Sequence, residues 1–175
     1  MIRSQALWLL CTFATFGIMG AALFSFGVGI ATERAQGWLK LLRASPAPVS
    51  AVIAGKAFGA ALFALAILAL MAVMASVFAD VRLHTSQWLA LGGVLAAGTL
   101  PFALMGLTMG LWLSPNAAPA VINIVFLPMV FLSGLWIPAT QFPGWLQALA
   151  GWLPPYHLAE PALHVAGAKA ADWAG

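Results

Sequence analysis

The sequence predicts an all-α integral membrane protein, a polytopic bundle of helices, and three observations support this fold class. Only 6% of the 175 residues are charged, whereas about a quarter are charged in soluble domains. Hydrophobic residues make up 63% of the chain. The charges fall in clusters, and the 77 residues from Leu83 to Ala159 contain none. Because a charge at the centre of a bilayer costs roughly 2.5–3.5 kcal/mol, long uncharged runs are typical of membrane spans.

The uncharged runs predict four spans, since a helix that crosses a bilayer needs about 20 apolar residues. These runs comprise residues 4–32, 57–79 and 83–159. We expect one domain over residues 1–175, with spans at residues 5–30, 57–78, 88–113 and 120–135. Pro101 is expected to kink the third span and Pro128 to bend or break the fourth, because proline disrupts the helical hydrogen-bond ladder.

A short charged segment follows the first span. Thr32 fits an N-cap and Glu33 a first-turn carboxylate, so we expect a new helix over residues 33–44. Its polar and apolar residues fall on opposite arcs of a helical wheel, which is typical of an amphipathic helix at a membrane surface. The polar arc comprises Glu33, Gln36, Lys40 and Arg43, and the apolar arc comprises Ala35, Trp38, Leu39 and Leu42.

Residues 138–156 are rich in proline yet uncharged. Within them, large apolar residues recur at helical spacing over a stretch shorter than a span: Trp145, Leu146, Leu149, Trp152 and Leu153. We expect a re-entrant or interfacial helical segment that packs on the bundle and places its tryptophans at headgroup level. Glu160, the first charge after the long apolar run, is expected to mark the boundary with water.

The distribution of basic residues predicts the orientation of the chain. Residues 33–56 contain four basic side chains, whereas Arg3 and Arg82 stand alone at the other predicted loops. Because cytoplasmic loops carry the excess of lysine and arginine, we expect residues 33–56 to be cytoplasmic and residues 138–156 to face outside. The N-terminus then begins outside, which suggests that a preceding span is missing.

No set of residues in the sequence predicts catalysis. Lys56 follows a glycine, but Ser50 stands where the first glycine of a phosphate-binding loop belongs, and Ala57 replaces the required Ser or Thr. The three histidines do not have the spacing of metal ligands on a common face: His84, His157 and His164. We therefore expect no enzymatic activity, metal or cofactor. The net charge of +3 is small and local, so we expect no nucleic-acid partner.

Two pairs of glycines, Gly55 with Gly59 and Gly106 with Gly110, have the spacing of close helix contacts in membranes. Asn123 lies within the fourth predicted span, where it could line a polar path or form an interhelical hydrogen bond.

Three motifs, in order, resemble permeases of the ABC-2 type over about residues 31–163. The first resembles the cytoplasmic segment of that family: Glu33-Arg34, Gly37-Trp38, Leu41-Leu42, Ser45-Pro46 and Gly55-Lys56. The second resembles its penultimate span and exit: Asn123, then Phe131-Leu132-Ser133-Gly134-Leu135-Trp136-Ile137-Pro138. The third resembles its re-entrant stretch: Phe142-Pro143-Gly144-Trp145-Leu146-Gln147, then Leu153-Pro154-Pro155-Tyr156-His157.

The resemblance implies the permease subunit of an ABC exporter in a bacterial inner membrane, working with a separate ATPase subunit. It implies that a helix contacts the ATPase through Glu33, Arg34, Gln36, Gly37, Trp38, Lys40, Leu41, Leu42 and Arg43. It implies an outer gate formed by Gly134, Pro138, Phe142, Pro143, Trp145, Pro154, Tyr156 and Glu160. Two permease subunits, here a homodimer among membrane lipids, would form the path. Family members typically have six spans, so this chain is expected to lack the first and the last.

Two other functions fit parts of the sequence. A membrane scaffold would use the basic surface helix to recruit a cytoplasmic partner or anionic lipid. A secondary transporter or channel would show ionisable residues inside its spans or an inverted repeat, and the sequence pattern indicates neither.

Overall fold

The computed structural model describes residues 2–38, 48–79, 83–137 and 141–167. Over these ranges the chain forms helices and no strands, which confirms the all-α prediction. The helices are α1 (Ile2–Ala35), α2 (Val49–Ala79), α3 (Thr85–Trp112), α4 (Ala118–Leu132), α5 (Gly144–Ala150) and α6 (Pro154–Ala166).

Three of these helices are long and apolar enough to cross a membrane: α1, α2 and α3. At 1.5 Å per residue they are about 51, 46 and 42 Å long, which exceeds the hydrocarbon thickness of about 30 Å. Helix α4 has 15 residues and α6 has 13, so each is shorter than the roughly 20 residues that a span needs. The fourth span therefore stays a prediction.

The end of α1 differs from the sequence prediction. The Thr32 hydroxyl donates a hydrogen bond to the Val28 carbonyl at 2.8 Å, so Thr32 lies inside α1 and its assignment as an N-cap is wrong. The helix continues to Ala35 and is followed by Gly37, whose φ of 80° is a left-handed conformation that glycine tolerates. Glu33 and Arg34 thus form the last turn of α1. Residues 39–47, which hold most of the predicted surface helix, lie outside the described residues.

Helix α1 forms the centre of the bundle and packs against α2, α3, α4 and α6. Its buried face carries large apolar side chains: Leu10, Ile18, Met19, Leu23 and Phe26. Over the most apolar 18 residues of each helix, 56% of α1 is buried inside the bundle but only 11% of α2. Helix α2 therefore lies at the periphery of the chain.

Glycines on α3 allow it to approach α1 closely. A Cβ atom at Gly106 would lie 2.8 Å from the Leu23 carbonyl oxygen, and one at Gly110 would lie 2.6 Å from that of Gly27. The predicted packing role of Gly106 and Gly110 is confirmed. By contrast, the described structure places nothing within 4 Å of such an atom at Gly55 or Gly59, so that pair makes no helix contact there.

Helix α6 packs against both α1 and α3. The Cys11 thiol of α1 donates to the Ala162 carbonyl at 3.5 Å. On α3, the Gln87 side-chain amide donates to the Val165 carbonyl at 3.3 Å. Leu158 fills the space beside Gly98, where a Cβ atom would lie 2.2 Å from its Cδ1 atom. Because these contacts run in opposite chain order, α6 is antiparallel to α3.

Candidate functional site

The ends of α1 and α3 and the first part of α2 meet at one end of the bundle. There, Lys56 Nζ lies 2.6 Å from Glu33 Oε1 and forms an ion pair that joins α2 to α1. Both side chains are mostly buried, with 24% of Lys56 and 32% of Glu33 exposed. We call Glu33, Arg34 and Lys56 the helix-end cluster.

Arg34 joins the same end of α1 to α3. Its guanidinium group donates hydrogen bonds to the carbonyl oxygens of Leu111 and Leu113, the latter at 2.6 Å. The last carbonyls of a helix have no intrahelical donor, and the partial negative charge at that terminus favours a cation. The Leu111 carbonyl would ordinarily pair with the amide four residues later, but that residue is Pro115, which has no N–H. Arg34 supplies the missing donors.

The Glu33 carboxylate depends strongly on Lys56. Its other oxygen, Oε2, is buried and has no hydrogen-bond partner among the described residues. A buried carboxylate that loses its cation is costly, because the desolvation of the charge is then uncompensated. Lys56 therefore compensates the desolvation of the Glu33 carboxylate.

The structure separates the residues of the predicted ATPase-contacting helix into two groups. Glu33 and Arg34 are engaged within the chain, through Lys56 and the end of α3. Gln36 is exposed, and Gly37 and Trp38 are half-buried just beyond α1. The remaining four lie outside the described residues: Lys40, Leu41, Leu42 and Arg43.

Sequence reasoning missed the partners of Glu33 and Arg34. In the sequence, Lys56 belongs to the basic segment and to a motif of the family resemblance, but nothing pairs it with a residue 23 positions earlier. A signal for the Arg34 contact did exist, because Pro115 leaves the carbonyl of Leu111 without an amide partner.

The residues of the predicted outer gate lie along the segment from the end of α4 to α6. Gly134 is buried and has a φ of 81° just after α4. Pro143 precedes α5, and its carbonyl accepts from the Leu146 amide at 2.8 Å. Phe142 is half-buried, and its carbonyl accepts from the Gln147 side chain at 2.9 Å. Pro138 lies outside the described residues.

Two residues of the predicted outer gate, Tyr156 and Glu160, come together on α6. Pro154 begins this helix, and the Tyr156 hydroxyl lies beside the Glu160 carboxylate one turn later. Trp145 of α5 is 72% exposed, and Trp152, which follows α5, is 87% exposed. Such a pair of exposed tryptophans is typical of a segment that reaches a membrane interface.

Asn123 is exposed and forms a hydrogen bond within its own helix, so its place along a polar path stays a prediction. Its side-chain amide donates to the Pro119 carbonyl of the same helix at 3.1 Å. The expectation of an interhelical hydrogen bond is therefore wrong within the described structure, and the side chain stabilises the first turn of α4.

Comparison with known proteins assigns the chain to a family. A family model described as ABC-2 type transporter matches residues 3–165. The chain belongs to the ABC-2 type transporter family. A relative in Bacillus subtilis (strain 168), named "Putative transport permease YvfS", is 24% identical over 164 residues, which are 94% of this chain and 67% of the relative. No solved structure matches the chain.

The match to the family model confirms the family that the three motifs predict. The protein is the membrane subunit of a transporter. Membrane domains of the ABC-2 type are non-catalytic and generally work with an ABC ATPase. In this membrane subunit the cluster joins α1 to α2 and α3.

Proposed function

We propose that this protein is the permease subunit of an ATP-driven exporter in a bacterial inner membrane. A second copy of the chain would complete the translocation path, and a separate ATPase subunit would supply the energy. Family membership supports this proposal, and the helix-end cluster is the observation that carries it, because it links the segment after α1 to the rest of the bundle.

The cluster offers a route for mechanical coupling. A force applied to the residues after Ala35 reaches α3 through the hydrogen bonds of Arg34. It reaches α2 through the Glu33–Lys56 ion pair. Because α4 follows α3 after a turn of only five residues, 113–117, movement of the α3 end also moves the start of α4. Movement of the segment after α1 would therefore be transmitted through α1 to α2, α3 and α4.

The distribution of basic residues supports a cytoplasmic location for this coupling. Residues 33–56 contain Arg34, Lys40, Arg43 and Lys56, and loops rich in basic residues face the cytoplasm. An ATPase subunit in the cytoplasm would then meet Gln36, Trp38 and the amphipathic sequence that follows. In this scheme Glu33 and Arg34 position the contact surface, while Lys40 and Arg43 bind the partner.

The segment from Gly134 to Glu160 would form the opposite end of the path. Helices α5 and α6 are shorter than a span, and α6 packs against α1 and α3. This arrangement supports a re-entrant segment that closes the outer side. Membrane lipids would surround the exposed apolar faces of α2 and α3.

The proposal is tested by reversing the charge of the contact surface. We expect Lys40→Glu with Arg43→Glu to insert normally but to lose most copurification with a co-expressed ABC ATPase and most permease-dependent ATP hydrolysis. Arg82→Glu with Lys169→Glu is the matched control, because these residues lie outside the cytoplasmic segment. Normal ATPase binding and hydrolysis in the contact variant would overturn the proposal. Partner binding that never responds to nucleotide would favour a scaffold.

A further inference from the structure

Helix α6 has two chemically different faces. One face is buried against the bundle: Pro155, Leu158, Ala159, Ala162, Leu163 and Ala166. The other face is exposed and polar, with His157, Glu160 and His164. Spacings of three and four residues place these three side chains on one side of a helix. We call them the polar face of α6.

Contacts with α3 establish the level of this face along α3. Gly98, which accommodates Leu158, is near the middle of α3 (Thr85–Trp112). At 1.5 Å per residue, this point lies about 20 Å from either end of that helix. The hydrogen bond from Gln87 to Val165 fixes the other end of α6 near the start of α3. Helix α6 therefore extends from the middle of α3 towards the Thr85 end.

Glu160 follows Leu158 by two residues, which is about 3 Å along the helix axis. Its carboxylate is thus close to the level of Gly98, although the sequence suggested a water boundary there. A carboxylate at the centre of a bilayer is strongly disfavoured if it faces lipid. Exposed ionisable groups at this depth face water or a polar pathway. The two histidines on the same face strengthen this argument.

Other exposed surfaces at the same depth have a different character. Leu100 of α3 is 53% exposed and Leu62 of α2 is 51% exposed. These apolar side chains suit contact with lipid chains. Water is therefore expected on one side of the molecule, where the polar face of α6 lies.

We propose that the polar face of α6 lines a water-filled cavity that opens to the outside and forms part of the translocation path. The role of this cavity in transport rests on the proposed function, whereas its hydration does not. Glu160 presents a hydrogen-bond acceptor and a negative charge to this cavity, with the Tyr156 hydroxyl beside it. The cavity suits a substrate that carries a hydroxyl or ammonium group, such as a sugar-bearing or amine-bearing molecule.

Cysteine accessibility tests this proposal. Cys11 is fully buried and is the one cysteine of the chain, so Cys11→Ala provides the background. Single cysteines are introduced at His157, Glu160 and His164, with Leu100→Cys and Leu62→Cys as lipid-facing controls. Intact cells expressing the complete transporter are treated with a charged, membrane-impermeant thiol reagent. Because the reagent needs a hydrated thiolate, we expect labelling at the three polar-face positions to be at least about tenfold faster than at the controls.

The outcomes separate this proposal from the proposed function. Labelling of the polar face no faster than at Leu100→Cys would overturn it. A disulfide between two copies at Glu160→Cys, without reagent labelling, would also overturn it, because a second chain would then cover this face. If Glu160→Cys fails to accumulate, the two histidine positions decide the result. ATPase binding measured on the same cells remains a separate test of the permease assignment.

Discussion

The close approach of α1 and α3 makes a quantitative prediction at Gly110. In Gly110→Ala, the new Cβ atom would lie 2.6 Å from the Gly27 carbonyl oxygen and 2.9 Å from that of Phe26. Ordinary van der Waals contact begins near 3.4 Å, so the methyl group is about 0.8 Å too close to the backbone. Backbone atoms of a packed helix cannot move aside locally, and overpacking of this kind costs roughly 1–3 kcal/mol.

Gly59→Ala is the matched control, because nothing in the described structure lies within 4 Å of its new methyl group. Both substitutions gain the same helix propensity, about 1 kcal/mol for alanine over glycine. That gain cancels when the two variants are compared, and the steric cost remains. For a chain of this size, a cost of 1–3 kcal/mol corresponds to a difference in melting temperature of about 2–12 °C.

The assay is thermal unfolding of the detergent-solubilised protein, followed by the fraction that remains monodisperse after heating. We expect Gly110→Ala to melt below Gly59→Ala by the stated margin. Equal melting temperatures would refute the claim that α1 and α3 touch through their backbones at this position.

The helix-end cluster yields two further predictions, measured in the same assay. Lys56→Gln is expected to destabilise the protein by about 1–3 kcal/mol because it leaves the Glu33 carboxylate buried without its cation, and adding Glu33→Gln should recover part of that loss. A double variant no more stable than Lys56→Gln would contradict this reasoning. Arg34→Ala should lower the stability of the protein by about 1–3 kcal/mol, because two carbonyl oxygens lose their donors. Arg34→Lys should have a stability between those of Arg34→Ala and the native chain, because lysine lacks the forked geometry of arginine. Unchanged stability of Arg34→Ala would contradict the capping role.

The parts of the fold that depend on solvent were predictable from sequence. Composition and the long uncharged run from Leu83 to Ala159 predict helices in a membrane, because lipid excludes charge and requires internally paired backbone. Three separated motifs were specific enough to predict the family. The glycine spacing was a less specific signal of helix contact. Gly106 and Gly110 pack against α1, whereas a Cβ atom at Gly55 or Gly59 would have no neighbour within 4 Å among the described residues.

The parts that depend on tertiary packing were not predictable. Thr32 resembles an N-cap in sequence, but a threonine inside a membrane helix can donate to the carbonyl four residues earlier, as it does here. The level of Glu160 along α3 depends on the packing of α6 against the middle of that helix. A one-dimensional hydropathy pattern places such a residue at the end of an apolar run, and so at the water boundary.

Crosslinking can show whether the end of α1 faces an ABC ATPase, as proposed. A photoreactive amino acid is placed at Gln36, which is exposed beyond α1, and in a second variant at Trp152, which is exposed beyond α5. Each variant is co-expressed with the ATPase and illuminated in intact cells. We expect an ATPase adduct at Gln36 and none at Trp152. Absence of the adduct at Gln36, or an equal yield at Trp152, would show that the end of α1 does not face the ATPase.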